Sequence, residues 1–323
     1  MAELRYNRMV AAALADAMAE DRSVIVLGED IGGGGVYGAT RGLKERFGPD
    51  RVLDTPISEA TFMGAAVGAA LSGLKPVVEI SFMDFLTFAM DPLVNQAAKM
   101  RFMFGGQGSV PLVVRAPHGG GVSGGAQHSQ CLEAWFAHVP GLKLVCPADP
   151  PSAYGLLRSA IRDPDPVIVI EHKALYAARI EGPENPPILP IGKAHIARPG
   201  RDLTIVTYGA MLRHVNKAAD GLAAEGVEAE IIDLRSLQPW DEPTVLESLT
   251  RTHRLVVAHE AVEAFGIGAE IAARMADIGF DELDAPIVRV GAPFMPSPLA
   301  RELENTYLPD ADRVIAAAKR VLE

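Results

Sequence analysis

Glu59 is the acid that most needs explaining. It stands at the mouth of residues 60–73, a run otherwise apolar and small-sided, in which Gly64, Ala65, Gly68, Ala69 and Ser72 recur three or four apart and so share one helical face. An acid in a first turn meets the positive end of the helix dipole, which is a structural reason for a carboxylate. A carboxylate among apolar neighbours is also the setting in which proton-transfer groups are tuned. His128 is the second suggestive residue, in Gly124-Gly125-Ala126-Gln127-His128-Ser129-Gln130-Cys131. Glycine flanks let a ligand approach the ring, and imidazole suits proton transfer near neutral pH. Cys131, three residues on, raises a cysteine–histidine nucleophile, but no orienting third group is evident beside it.

Two stretches satisfy GxGxxG, residues 33–38 and 119–124. A dinucleotide fingerprint needs its glycines in the turn straight after a strand, with helix N-terminal amides facing pyrophosphate. In the first copy Glu29 and Asp30 intervene where phosphates would sit, and in the second no helix follows directly. Both therefore read as turned loops. There is no Walker lysine loop, and no Gly-Asp-Gly segment followed by a distant Asn that could hold a divalent ion on a diphosphate.

The elements that must position these residues alternate. Short β-branched runs at 24–27, 76–80, 111–114, 142–146 and 167–170 read as buried strands, and helices fit at 7–19, 60–71, 91–102 and 153–162. Strands separated by helices predict an α/β fold with a doubly wound, mostly parallel sheet. Residues 1–180 form this first domain. Residues 181–192, with Gly182, Pro183, Pro186, Pro187 and Pro190, read as an extended linker. Residues 193–323 resume the alternation as a smaller α/β domain, with strands at 203–207, 230–234, 255–258 and 287–290 and helices at 212–224, 268–275 and 312–322. Ligands of open α/β sheets bind beyond the carboxyl ends of the strands, which points to Glu29, to 81–85 and to the loop 118–130.

The chain has 323 residues, 49% of them apolar, and a formal charge of −11 without any Lys/Arg run. A nucleic-acid footprint is therefore absent and an anionic membrane surface would repel it, whereas a basic protein partner would be attracted. The first 21 residues pattern as an amphipathic helix and not as a secretory segment, and the longest low-charge stretch is too short to span a bilayer. Two cysteines make no disulfide framework. The expectation is a cytoplasmic, reduced protein.

With these pieces set out, the chain resembles the beta subunit of the thiamine diphosphate-dependent decarboxylating component of 2-oxo acid dehydrogenase complexes, a transketolase-like family. The likeness covers nearly the whole chain. It is carried by Leu27-Gly28-Glu29-Asp30, Arg51-Val52-Leu53-Asp54-Thr55-Pro56-Ile57-Ser58-Glu59, Phe82-Met83-Asp84-Phe85, Gln127-His128-Ser129-Gln130, Pro140-Gly141-Leu142-Lys143, Ser159-Ala160-Ile161-Arg162-Asp163 and Gly268-Ala269-Glu270-Ile271. The resemblance implies that Glu59 hydrogen-bonds N1′ of the coenzyme's aminopyrimidine, that Phe85 lies against that ring with Ile57 supporting the pocket, and that Glu29 is a second acid organising water or Glu59 itself. His128 would exchange protons at the substrate oxygen and assist acyl transfer to a lipoyl arm.

In this family a separate alpha subunit holds the diphosphate and its Mg2+, so the missing Gly-Asp-Gly…Asn segment counts in favour of the resemblance. It further implies an α2β2 heterotetramer, with the small-faced helix packing closely at an interface, and docking to a dihydrolipoyl acyltransferase core that the chain's acidity would favour. Leu112, Ala160, Ile161, Asp163 and Asp165 match a family site for potassium. The substrate would be a small 2-oxo acid. Ser81 and Phe85 depart from branched-chain enzymes, 127–131 is similar to pyruvate enzymes, and 103–106 and 171–173 are similar to acetoin-cleaving ones, which leaves pyruvate slightly preferred. The rivals are an acetoin dehydrogenase beta subunit, an NAD-binding Rossmann oxidoreductase built on 33–38, and a non-catalytic scaffold subunit that kept the fold.

Overall fold

A computed structural model describes all residues from Met1 to Glu323. The chain divides into two compact units, Met1–His118 with Trp135–Ile191, and Gly119–Ala134 with Gly192–Glu323.

In chain order the first unit carries β1 (Ala2–Arg5), α1 (Tyr6–Glu20), β2 (Val24–Gly28), α2 (Leu43–Phe47), β3 (Val52–Asp54), α3 (Glu59–Leu71), β4 (Lys75–Glu79), α4 (Ala98–Met103) and β5 (Val113–His118). After the short helix α5 (Glu133–Ala137) come β6 (Lys143–Val145), α6 (Pro150–Arg162), β7 (Val167–His172) and β8 (Arg179–Gly182). Six strands pair in the order β6-β7-β5-β4-β2-β3, each contact parallel. β2, β5 and β7 are buried along their full length, which is why they read as unbroken apolar runs and not as alternating ones. Asp149 opens α6 reciprocally: its Oδ1 accepts from the Ser152 amide at 2.8 Å, while Ser152 Oγ accepts from the Asp149 amide at 3.1 Å. Pro150 fits the first helical position, where its missing N–H costs nothing.

In the second unit follow β9 (His195–Arg198), β10 (Leu203–Thr207), α7 (Met211–Ala224), β11 (Ala229–Asp233), β12 (Ser236–Gln238), α8 (Glu242–Thr252), β13 (Leu255–Val262), α9 (Ile267–Ile278), β14 (Val288–Ala292), α10 (Arg301–Tyr307) and α11 (Ala311–Leu322). Its sheet runs β14-β13-β10-β11-β9, parallel except for β9, which lies antiparallel to β11. α7 and α11 pack on one another and on this sheet.

The α/β character and the mostly parallel sheets match the expectation, and several features differ from it. The Pro-rich linker is not wholly irregular, since β8 pairs antiparallel with β1 from Ala2↔Gly182 to Arg5↔Arg179. The helix expected over 91–102 begins as the wide-turn segment Asp91–Ala97 before becoming α4. Strand β3 and helix α8 went unread: one is three residues long, and in the other only Val245, Ser248, Leu249 and Thr252 are buried, too polar a stripe to register. The stretch Gly119–Ala134, read with the first domain, belongs with the second unit. No helix is long and apolar enough to cross a membrane.

Candidate active site

In the first unit the chemistry gathers beyond the carboxyl ends of three adjacent parallel strands. Glu29 follows β2, Ile57 and Glu59 follow β3, and Phe85 follows β4. The Thr55 amide donates to Gly28 O at 3.0 Å and ties the first two turns together. A Cβ on Gly28 would fall 2.5 Å from Glu79 O, so only glycine lets β2 lie this close to the end of β4.

Glu59 begins α3 and is 9% exposed, a carboxylate lodged at the positive end of a helix. Burial raises the pKa of Glu29, the charges of Glu59 and Asp30 raise it further, and a hydrogen bond with Ser81 works the other way. Its Oε1 is buried and takes no hydrogen bond within the chain. Two acids are thereby set against each other, an arrangement that makes Glu29 harder to ionise and leaves one buried oxygen for an incoming hydrogen-bond partner. Such acids fit an aminopyrimidine, whose amino group and protonated ring nitrogen donate to a carboxylate and whose bare ring nitrogen accepts from a carboxyl O–H. Phe85, half-buried, stands edge-on to Phe82 with ring centres 5.5 Å apart. Ile57 is 83% exposed at the mouth, so within this unit it lines an open rim and not a closed pocket.

Behind these turns lies a charge network that the sequence reading missed. Arg115, fully buried on β5, donates to Glu171 through Nε at 2.7 Å and Nη2 at 2.8 Å, and through Nη1 to Glu79. Tyr176 Oη donates to Glu171 at 2.6 Å. Burial pushes the Glu79 pKa up. The Tyr176 ring stacks on Tyr37 at 4.4 Å, Tyr37 meets Phe82 edge-on, and Lys173 Nζ stands 5.5 Å from the Phe82 ring centre. The signal was available: three charged residues, Glu79, Arg115 and Glu171, inside otherwise apolar strands must find one another.

His128 belongs to the second unit, half-buried on the glycine loop. That loop is held by acids. The Gly120 amide donates to Glu260 Oε1 at 2.6 Å, and the Gly121 and Ser123 amides donate to the two oxygens of Glu304 at 2.9 and 3.0 Å. The amides that a phosphate would require in the second GxGxxG stretch are thus engaged by carboxylates. In the first stretch, a Cβ on Gly35 would lie 2.4 Å from Glu79 Oε1, so that loop packs on the core. Cys131 Sγ lies 3.9 Å from Glu260 Oε1, and both border a cavity of about 490 Å3 with Ser129, Phe294, Ser297 and Tyr307. His259 is a core histidine, its Nδ1 3.1 Å from Ala261 O and its pKa lowered by burial.

Leu112, Ala160, Ile161, Asp163 and Asp165 converge in the first unit where α6 ends and β7 begins. The Leu112 carbonyl accepts from the Val167 amide at 2.9 Å and the Ala160 carbonyl from the Asp163 amide at 3.2 Å. Lys143 Nζ donates to both oxygens of Asp163, at 2.7 and 2.8 Å, and Arg101 pairs with Asp165. The acidic side chains already carry counter-charges, so a bound ion would rely on main-chain oxygens.

Two family models match in succession, the transketolase pyrimidine-binding domain over residues 2–179 and the transketolase C-terminal domain over residues 192–314. Among solved structures the chain is similar to a split-gene transketolase, an inactive beta4 tetramer, with a TM-score of 0.82 over 99% of this chain and 98% of that one at 24% identity. Fold and site thus define a transketolase-type coenzyme domain pair. The acetoin:2,6-dichlorophenolindophenol oxidoreductase subunit beta of Cupriavidus necator is 48% identical, covering 96% of this chain and 95% of its own. The pyruvate dehydrogenase E1 component subunit beta-2, mitochondrial, of Oryza sativa subsp. japonica is 45% identical over 98% and 86%. The 2-oxoisovalerate dehydrogenase subunit beta of Bacillus subtilis is 40% identical over the full length of both. The chain belongs to the family of beta subunits of thiamine diphosphate-dependent 2-oxo acid dehydrogenase E1 components.

Proposed function

We propose that this beta subunit, joined to an alpha subunit in an α2β2 heterotetramer, decarboxylates pyruvate oxidatively and passes the acyl group to lipoyl arms of a dihydrolipoyl acyltransferase core. The observation that carries this is the opposed acid pair Glu29 and Glu59 beside the half-buried Phe85, at the ends of adjacent strands. When bound, thiamine diphosphate supplies a nucleophilic ring carbon and an electron sink for the departing carboxylate. Glu59 holds a hydrogen bond at N1′ of its aminopyrimidine. Glu29, its pKa raised by burial and by the neighbouring Glu59 charge, is the second acid and organises water or Glu59 itself. Phe85 covers the ring face and keeps water away, and Ile57 adds to that cover once a partner closes the rim. His128 exchanges a proton at the substrate oxygen. The alpha subunit holds the diphosphate and Mg2+. Potassium would be held by Leu112, Ala160 and Ile161 through main-chain oxygens, with Asp163 and Asp165 near it, and the assembly works in the cytoplasm.

A second reading has its own support, because the acetoin enzyme's subunit shares 48% identity with this chain. Co-purification with the alpha partner, followed by assays of pyruvate, branched 2-oxo acids and acetoin side by side, separates the two. Coenzyme-dependent release of carbon dioxide from pyruvate supports the first reading, and turnover of acetoin alone replaces it. Tight binding of the coenzyme by the isolated chain, with turnover unaided, overturns both.

A further inference from the structure

We infer that Glu304 is a positioning residue for His128, acting through the backbone of the glycine loop; the inference rests on the role given to His128 above.

Gly119, Gly121, Ser123 and Gly125 all adopt positive φ, between 56° and 87°. Left-handed residues alternating with ordinary ones turn successive amides toward one side and form a concave anion seat. In this chain the anion is internal. Glu304, 1% exposed on α10, accepts from the Gly121 and Ser123 amides with one oxygen each, a two-point grip that fixes the loop's direction as well as its place. Glu260 takes the Gly120 amide from β13. Leu308 closes the same face: a Cβ on Gly120 would meet it at 3.0 Å, and one on Gly125 would meet Leu299 at 3.3 Å.

The grip is transmitted to the histidine in two short steps. Ser123 leads directly into Gly124, whose Cα is so close to the next turn that a Cβ would fall 2.8 Å from Ser129 Oγ and 3.0 Å from His128 O. The His128 amide in turn lies 3.4 Å from Gly125 O. Holding Ser123 therefore holds Gly124, and Gly124 sets the backbone on which His128 turns. A loop this rich in glycine has a large conformational freedom to lose, and a buried carboxylate, Glu304, with the half-buried Glu260, removes it. Glu304 touches neither coenzyme nor substrate in this account.

The test uses the full chain assembled with its alpha partner. Glu304→Gln keeps the shape but offers one acceptor where two amides need one each. Amide exchange over residues 119–131 should accelerate roughly tenfold or more while α7 is unchanged, since the loop now opens locally. Turnover should fall about tenfold, and adding Glu304→Gln to His128→Ala should change turnover by less than about twofold, as expected for one residue acting through another. Glu304→Asp, which keeps the charge but withdraws it by one methylene, should give intermediate exchange and serves if the Gln variant does not assemble. Unchanged exchange overturns the inference, and so does an undiminished effect of Glu304→Gln without the imidazole. Should His128→Ala alone leave turnover untouched, the role assigned to His128 fails and the positioning claim with it, while the exchange result still decides whether Glu304 holds the loop.

Discussion

The two units use the same residue type for opposite ends. In the first, Glu29 and Glu59 are placed near each other at strand ends, with burial and like charge raising one of them. In the second, Glu304 takes a backbone amide on each oxygen and Glu260 takes one, and both serve as fasteners. An acid left short of donors is poised for chemistry, whereas an acid supplied with them becomes structure. What distinguishes the two is the neighbouring backbone.

The sharpest way to break that contrast is Glu59→Gln, which removes one carboxylate from the opposed pair. Coenzyme-dependent decarboxylation should drop about 10²- to 10⁴-fold with the heterotetramer intact by size-exclusion chromatography. Unaltered turnover would remove Glu59 from the mechanism. Next comes Arg115→Met, which strands Glu79 and Glu171 in the core without their counter-charge. Chemical denaturation should show a loss of about 3–5 kcal/mol, the cost of orphaning a buried charge.

Smaller effects sharpen the comparison. Phe82→Leu removes the edge-on partner of Phe85 and should raise the coenzyme concentration for half-activity about two- to tenfold, the worth of one aromatic contact, leaving kcat nearly constant. Glu29→Gln tests the sign of the raised pKa. The folded chain binds more protons than the unfolded one between the ordinary glutamate value and the raised one, so this group's contribution to stability is present at low pH and declines as pH climbs through that window. The urea midpoint of the variant minus that of the parent should therefore increase as pH climbs through that window. A parallel pair of curves would mean that Glu29 is not perturbed.

Much of the frame was legible because buried parallel strands announce themselves: 24–27 and 167–170 are continuous apolar runs that became β2 and β7. Glu59 stood out for a related reason, as a charge where apolar periodicity leaves no place for one. The acid pair could be suspected from strand ends, but its coupling depends on β2 lying against β3, a register that spacing does not encode. β1 and β8 escaped notice since each is short and needs the other, a pairing across nearly the whole first unit. Glu304 was invisible for the plainest reason: it lies on a helix of seven residues and its partners are main-chain amides, which no residue pattern displays.

Glu79, Arg115 and Glu171 together have an odd number of formal charges, two negative and one positive, sealed among β4, β5 and β7. Burial pushes the Glu79 carboxyl up against the pull of the Arg115 guanidinium, so this group takes a proton more readily in the folded chain than in the unfolded one. At this one carboxyl, folding and proton binding favour each other, and a rise in pH through that window works against the sheet from within.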